Sequence, residues 1–247
     1  MENKTILTRR QALITGLTSL TGLLLPGCSK QAPPTYGNIL RMGDALTYLA
    51  HRTLLPGQAL AKEYRQSDIS SFPATGTTNP ADRTHKSYSE DYGRLHNGTF
   101  MDYRLSIEGN VAKPGLYSLA DLQRFPKRTQ ITRHTCEEGW TAIAEWTGVP
   151  LSTVLQHAGI RPSARFVNCY AYDGYMESID MLDAFHPQTI LAYGMNGRHL
   201  PIPHGAPVRL RVETQIGYKS VKYLQRIVVT DEFVDTGDSG WAWYVGI

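Results

Sequence analysis

Cys136 is the residue with the most chemistry to offer. It stands in Arg133-His134-Thr135-Cys136-Glu137-Glu138-Gly139-Trp140, directly after an alternating run, 130–135, that predicts a strand. A thiol at a strand end, between cations and carboxylates, is a candidate metal ligand or nucleophile. Cationic neighbours favour the thiolate, the form that does either job, while Glu137 and Glu138 oppose it. Cys169 lies among Phe166, Val167 and Tyr170 in a predicted strand and reads as core. With 3 cysteines and no CxxC or CxxCH, a disulfide scaffold, a zinc ribbon and covalent c-type haem are excluded. The 8 histidines form no HExxH, and there is no GxSxG, no GxGxxG after a strand and no P-loop.

A second feature lies in the last third. Arg209 and Arg211 share a predicted strand, and the turn Gly217-Tyr218-Lys219-Ser220-Val221-Lys222 follows. Guanidinium, ammonium and backbone N–H groups in a glycine-led turn suit an anion cradle. A solvated basic surface would carry the same residues.

The elements that must position these groups are mostly strands. Alternation or β-branched runs predict strands at 103–108, 130–135, 165–171, 208–212 and 227–230, and Asn196-Gly197 predicts a hairpin within 190–202. Short helices are expected near 118–125, 150–158 and 180–185. Strands interleaved irregularly with short helices predict an α+β fold with a mixed sheet, as a single domain over 99–247. Residues 29–98 divide into a polar tether, an amphipathic helix over about 38–55 expected to pack on the domain, and an irregular polar stretch from 65 to 98.

Residues 1–28 read as an export signal. Arg9-Arg10 precedes a weakly apolar run, 12–25, of 14 residues, shorter than the roughly 20 that span a bilayer as a helix. That is the twin-arginine pattern, which carries folded proteins out of the cytoplasm. Leu25-Pro26-Gly27-Cys28 is similar to a lipobox, so Cys28 is a candidate lipid anchor on a periplasmic product. The formal net charge of +3 comes largely from this leader and gives no ground for nucleic-acid binding.

The stretch 103–230 resembles the molybdopterin-binding domain of the sulfite oxidase superfamily, closest to its haem-free periplasmic bacterial branch with the methionine sulfoxide reductase catalytic subunits. The octet around Cys136 carries the resemblance, with WTGVPL at 146–151, DAFHPQTILAY at 183–193, LPIPHGAPVRL at 200–210 and GYKSVK at 217–222. It implies one molybdenum–molybdopterin per chain, with Cys136 as the protein ligand to the metal. It implies pterin and phosphate contacts from His204, Arg209, Ser220, Val221 and Lys222, with a backbone contact from Ala171 and a further contact from Asn79. Glu138 falls where the branch has a glutamate near the metal, which implies a catalytic role in proton handling or substrate orientation. The implied reaction is two-electron oxygen-atom transfer.

Two departures bear on substrate. Authentic sulfite oxidases place arginines beside the cysteine and in the upstream loop. Here Glu137 and Glu138 follow the cysteine, and residues 72–78 hold no arginine. A like-charge pair 4 Å apart costs about 4 kcal/mol at an effective dielectric of 20, which disfavours sulfite. His204 stands where the sulfoxide-reductase branch commonly has asparagine. With no haem domain or dimerisation domain recognisable, electrons are expected to pass to a membrane b-type or soluble c-type cytochrome, and the chain is expected to be a monomer. The rival readings are a sulfite dehydrogenase, a metal-free cysteine enzyme with His134 as base, and a non-catalytic lipoprotein binding module.

Overall fold

The structure, a computed structural model, describes residues 59–232, Val234, and the helical positions Leu46, Leu49, Ala50, Thr53 and Leu54. The export signal, the candidate lipid anchor and the tether lie outside the described residues.

Two sheets carry the fold. The first runs β2 (Gly115–Ser118), β1 (Arg104–Gly109), β10 (Leu224–Thr230), β5 (Phe166–Ala171) and β6 (Met176–Asp180). β1 and β10 pair in parallel and the other pairs are antiparallel, so this sheet is mixed. The second runs β3 (Arg128–Thr135), β4 (Thr141–Pro150), β7 (Ile190–Met195) and β8 (Arg198–His199), with β9 (Arg209–Arg211) also pairing β7. The expected α+β, mixed-sheet fold is present, divided over two sheets. The sequence predicts the β7–β8 hairpin: Asn196 and Gly197 take φ of 50° and 71°, the backbone an Asn-Gly turn favours.

Alternation explains the strands. β3 buries Gln130, Thr132 and His134 while Thr129 and Arg133 face outward. Helix α2 (Leu151–Ala158) buries Leu151, Val154, Leu155 and Ala158, the spacing of one helical face. The main core joins these residues to Leu105, Ile107, Val167 and Ile227. A smaller core of Ala144, Trp146, Ile190, Ala192, Met195 and Leu200 lies on the second sheet, with Phe72 packed against it.

Three expectations need correction. The stretch 65–98 is not irregular throughout, because α1 (Glu90–Asn97) forms there with Ser89 as its N-cap. Only Tyr92 of that helix is buried, so no apolar period was there to detect. β2, β4 and β6 were not foreseen, because β2 is only four residues long, the period of β4 is marked by small and polar residues and β6 runs buried without alternation. The described leucines of the 38–55 helix are exposed at 64% (Leu46), 61% (Leu49) and 77% (Leu54), not packed on the domain. Periodicity reports an apolar face without naming what covers it.

A buried ion pair fixes the turn that follows β9. Lys219 Nζ donates to Glu177 Oε2 at 2.8 Å and to the Ser178 carbonyl at 2.9 Å, with both side chains essentially inaccessible. Burial pushes the Glu177 carboxyl up, and Lys219 holds it partly down. Lys219→Met would leave that carboxylate buried alone and is expected to cost about 3–5 kcal/mol, with Glu177→Gln/Lys219→Met recovering most of the loss. Urea unfolding of the two variants checks this.

Candidate active site

The β3–β4 hairpin presents the cysteine. Cys136 and Trp140 are joined by a backbone bond (N to O, 2.9 Å), and the Gly139 N–H closes onto the Cys136 carbonyl at 3.1 Å. Gly139 takes φ of 89°, the left-handed residue that ends such a turn. Cys136 therefore starts a tight turn at the wall of a cleft of about 840 Å³. The cleft is lined by the hairpin, by Gly217 and Tyr218 of the turn that follows β9, and by residues 72–77 and 85–87.

Seven of the sequence-predicted site residues line this cleft: Cys136, Glu138, His204, Arg209, Ser220, Val221 and Lys222. Asn79 and Ala171 do not. Asn79 spends its side-chain oxygen on the Ala81 N–H at 3.0 Å, closing its own turn. Ala171 is buried at the end of β5, its N–H bonded to the Tyr175 carbonyl at 2.9 Å. Sequence reasoning did not place Phe72, Trp140 or Tyr175 in the site, nor His134 within this reading. The octet around Cys136 contains His134 and Trp140, but nothing local marks Phe72, which meets four rings across the fold. Its centroid lies 5.1 Å from His134, 5.6 Å from Trp140, 5.4 Å from Trp146 and 5.3 Å from His204.

The basic residues do different work from one another. Lys219 faces away, onto Glu177. Arg211 pairs with Glu213 at 2.8 Å and donates to His134 Nδ1 at 2.6 Å. Lys222 gives its ammonium to the carbonyls of Thr75 (2.8 Å), Pro203 (3.2 Å) and Thr77, tying down the 72–77 loop. Burial and the nearby Arg209 push Lys222 down to about 8. Arg209 is 4% exposed and donates to the carbonyls of His204 (2.9 Å) and Ser220 (3.0 Å). Its Nε–H is buried with no partner, and burial and then Arg211 push the guanidinium down to about 9.

The cysteine is 6% exposed, and its Sγ–H points at Glu137 Oε2, 3.6 Å away. Burial, then Glu137, pushes the thiol up, against the Glu138 backbone N–H that pulls it down. Glu138 Oε2 accepts from Trp140 Nε1 at 3.1 Å, holding that ring at the cleft. His134 Nδ1 is engaged by Arg211, and burial followed by the two arginines pushes this imidazole down to about 2. The Cys136 thiol points at Glu137 and His134 Nδ1 is taken by Arg211, so the geometry gives no support to a metal-free cysteine–histidine dyad.

Residues 93–236, more than half of the chain, match the family described as the oxidoreductase molybdopterin binding domain. The chain belongs to this family. It is 40% identical over 146 residues to the "Putative protein-methionine-sulfoxide reductase subunit YedZ1" of Azospira oryzae, covering 58% of this chain and 56% of that one. It is 32% identical over 146 residues to the protein-methionine-sulfoxide reductase catalytic subunit MsrP of Ralstonia nicotianae, covering 53% and 44%. Among solved structures, the sulfane dehydrogenase SoxCD of Paracoccus pantotrophus is similar, with a TM-score of 0.51 at 30% identity over 53% of this chain and 39% of that one. The matched region thus spans about half the length of these curated relatives.

The cleft fits the family's cofactor. Arg209, a buried guanidinium whose Nε–H has no partner, lines the cleft, and Cys136 offers a soft sulfur donor to the same cleft. Among the described residues no three His, Cys, Asp or Glu side chains converge on one point. A metal here would take most of its ligands from its own organic carrier, as a dithiolene-bound molybdenum does.

His204 gives the pH prediction. Burial, then Arg209 and Lys222, pushes this imidazole down to about 4. Below about 6.5 the unfolded chain takes up a proton that folded His204 refuses. Its contribution to stability is therefore present above 6.5 and lost as pH falls towards 4, at up to about 1.4 kcal/mol per pH unit. The midpoint of urea unfolding is expected to fall over this range and to fall less steeply in His204→Asn.

Proposed function

We propose that this chain is an exported molybdenum–molybdopterin oxidoreductase that transfers an oxygen atom with two electrons, to or from a substrate without net negative charge. The observation that carries the reading is the pairing in one cleft of the Cys136 thiol with Arg209, a buried cation that keeps an unpartnered N–H.

When bound, the cofactor supplies the oxygen-atom and electron chemistry. Cys136 presents Sγ from a tight turn, and Glu137 Oε2, 3.6 Å from it, would accept the thiol proton if the sulfur ligates a metal. Arg209 would hold the anionic part of the cofactor. Ser220 and His204 keep the guanidinium in place through their carbonyls, and its stacking on Trp146 (5.1 Å) supports it from below. Lys222 holds the 72–77 loop, and with it Phe72 and Pro73, at the cleft. Glu138 orients Trp140, which packs edge-on against Phe72 at 5.6 Å, so an indole and a phenyl ring line the cleft together. Glu137 and Glu138 both line the cleft, and two carboxylates there oppose an oxyanion such as sulfite. A neutral sulfoxide or N-oxide meets no such repulsion.

The remainder of the reading rests on sequence. Arg9-Arg10 supports twin-arginine export to the periplasm, and Cys28 supports a lipid anchor. A b-type or c-type cytochrome would exchange electrons with the chain, which would act as a monomer with the catalytic domain over 99–247.

Full-length protein, produced with its leader in a host that makes molybdopterin, is to be assayed with reduced viologen on sulfoxides and N-oxides and with ferricyanide on sulfite. Turnover of the neutral acceptors is expected. Cys136→Ser is expected to lose more than the ~10–100-fold that removal of an outer metal partner costs, with its fold intact. Turnover by Cys136→Ser equal to that of the parent would refute the assignment.

A further inference from the structure

A donor in this cleft is assigned to no ligand by the reading above. His134 is 7% exposed and sits on β3, next but one to Cys136, among the residues lining the cleft. Its ring is fixed from three sides. Phe72 and Trp140 pack on it at 5.1 and 5.5 Å, and Arg211 Nη1 lies 2.6 Å from Nδ1.

That last contact decides the tautomer. A guanidinium has N–H donors and no acceptor, so Nδ1 must be the accepting nitrogen and the ring proton sits on Nε2. Arg211 is itself held by both oxygens of Glu213, at 2.8 and 3.2 Å, and Glu213 Oε1 accepts from Gln130 Nε2 at 3.0 Å. Gln130 Nε2 also reaches the Gln188 carbonyl at 2.9 Å. The orientation of His134 is thus set by a buried chain of hydrogen bonds behind it, which leaves Nε2–H at the front. There it borders Gly217, where a Cβ would come within 2.8 Å of Nε2 and 2.9 Å of Glu137 Oε2. The missing Cβ of Gly217 leaves room at this edge of the imidazole, and among the described residues Nε2 makes no hydrogen bond.

We infer that His134 is a binding residue, donating its Nε2–H to an oxygen, nitrogen or sulfur acceptor of the molecule seated beside Cys136. The inference rests on the proposed function, since that molecule is either the molybdopterin group or the substrate. The two sources share one chemistry, an acceptor facing a neutral imidazole donor, and the test separates them.

Two substitutions split the ring's functions. His134→Asn keeps an acceptor where Nδ1 was and removes the donor at the cleft. His134→Gln places an amide N–H near the Nε2 position and gives up the acceptor for Arg211. Each is to be made in the full-length holoenzyme, with molybdenum per chain measured before and after extended dialysis, KM and kcat measured on a sulfoxide, and unfolding followed thermally. His134→Asn is expected to lose molybdenum on dialysis at least tenfold faster than the parent if the cofactor is the acceptor. It is expected to keep its molybdenum and raise KM at least tenfold if the substrate is. His134→Gln is expected to stay within a fewfold of the parent in the affected quantity, even though it unfolds at lower temperature.

A loaded parent with His134→Asn unchanged in both quantities would overturn the inference and leave the proposed function standing. Equal losses in His134→Asn and His134→Gln would overturn it too, because ring packing and not the donor would then be what matters. A folded parent that carries no molybdenum would overturn the proposed function and this inference with it.

Discussion

Two guanidinium groups packed on one indole set the terms for the rest of the structure. Arg209 and Arg211 lie 5.1 and 4.5 Å from the centre of the Trp146 ring, and all three side chains are buried. Buried like charges are tolerated only where each is compensated. Arg211 is compensated by Glu213. Arg209 has two carbonyls and, among the described residues, no carboxylate within ion-pair distance. Its charge is depressed by burial and by its neighbour, and its Nε–H is left unmet. A ligand that brings negative charge to this point would complete the interior, which is a physical reason for the cleft to hold a phosphate-bearing cofactor.

The surroundings follow from that requirement. β9 carries both arginines and is held in the second sheet by β7, while the turn after it is anchored from beneath by Lys219 on Glu177. The β3–β4 hairpin brings Cys136 to the same cleft, and Lys222 holds the 72–77 loop by its carbonyls. A small aromatic cluster centred on Phe72 joins the hairpin, the 72–77 loop and His204. The Cys136 sulfur, the buried cation and the aromatic cluster are thus held by elements from distant parts of the chain.

Some of this was legible in the sequence. The octet around Cys136 announced a thiol at a strand end, the Asn196-Gly197 pair announced its hairpin, and Cys169 read correctly as core, its thiol pushed up to about 12 by burial and by Glu177. The fates of the basic residues were not legible. Lys219, Arg211 and Lys222 look equivalent to Arg209 in a string of residues, yet two are neutralised by buried carboxylates and one is consumed by backbone carbonyls. Those partners are set by folding and not by spacing: Glu177 is 42 residues from Lys219, and Thr75 is 147 from Lys222. α1 and β4 escaped notice for a related reason, since Tyr92 alone anchors one and small residues such as Ala142 and Ala144 mark the period of the other.

The central claim is that the cleft holds molybdenum through Cys136, and elemental analysis tests it most directly. Full-length protein from a molybdopterin-producing host, shown by circular dichroism to be folded, is to be measured beside Cys136→Ser, with X-ray absorption at the molybdenum edge. The account predicts near-stoichiometric molybdenum in the parent, with a cysteine sulfur in its coordination shell that is absent from any metal the variant retains. Folded parent protein without molybdenum, or a coordination shell identical in the two proteins, would contradict it.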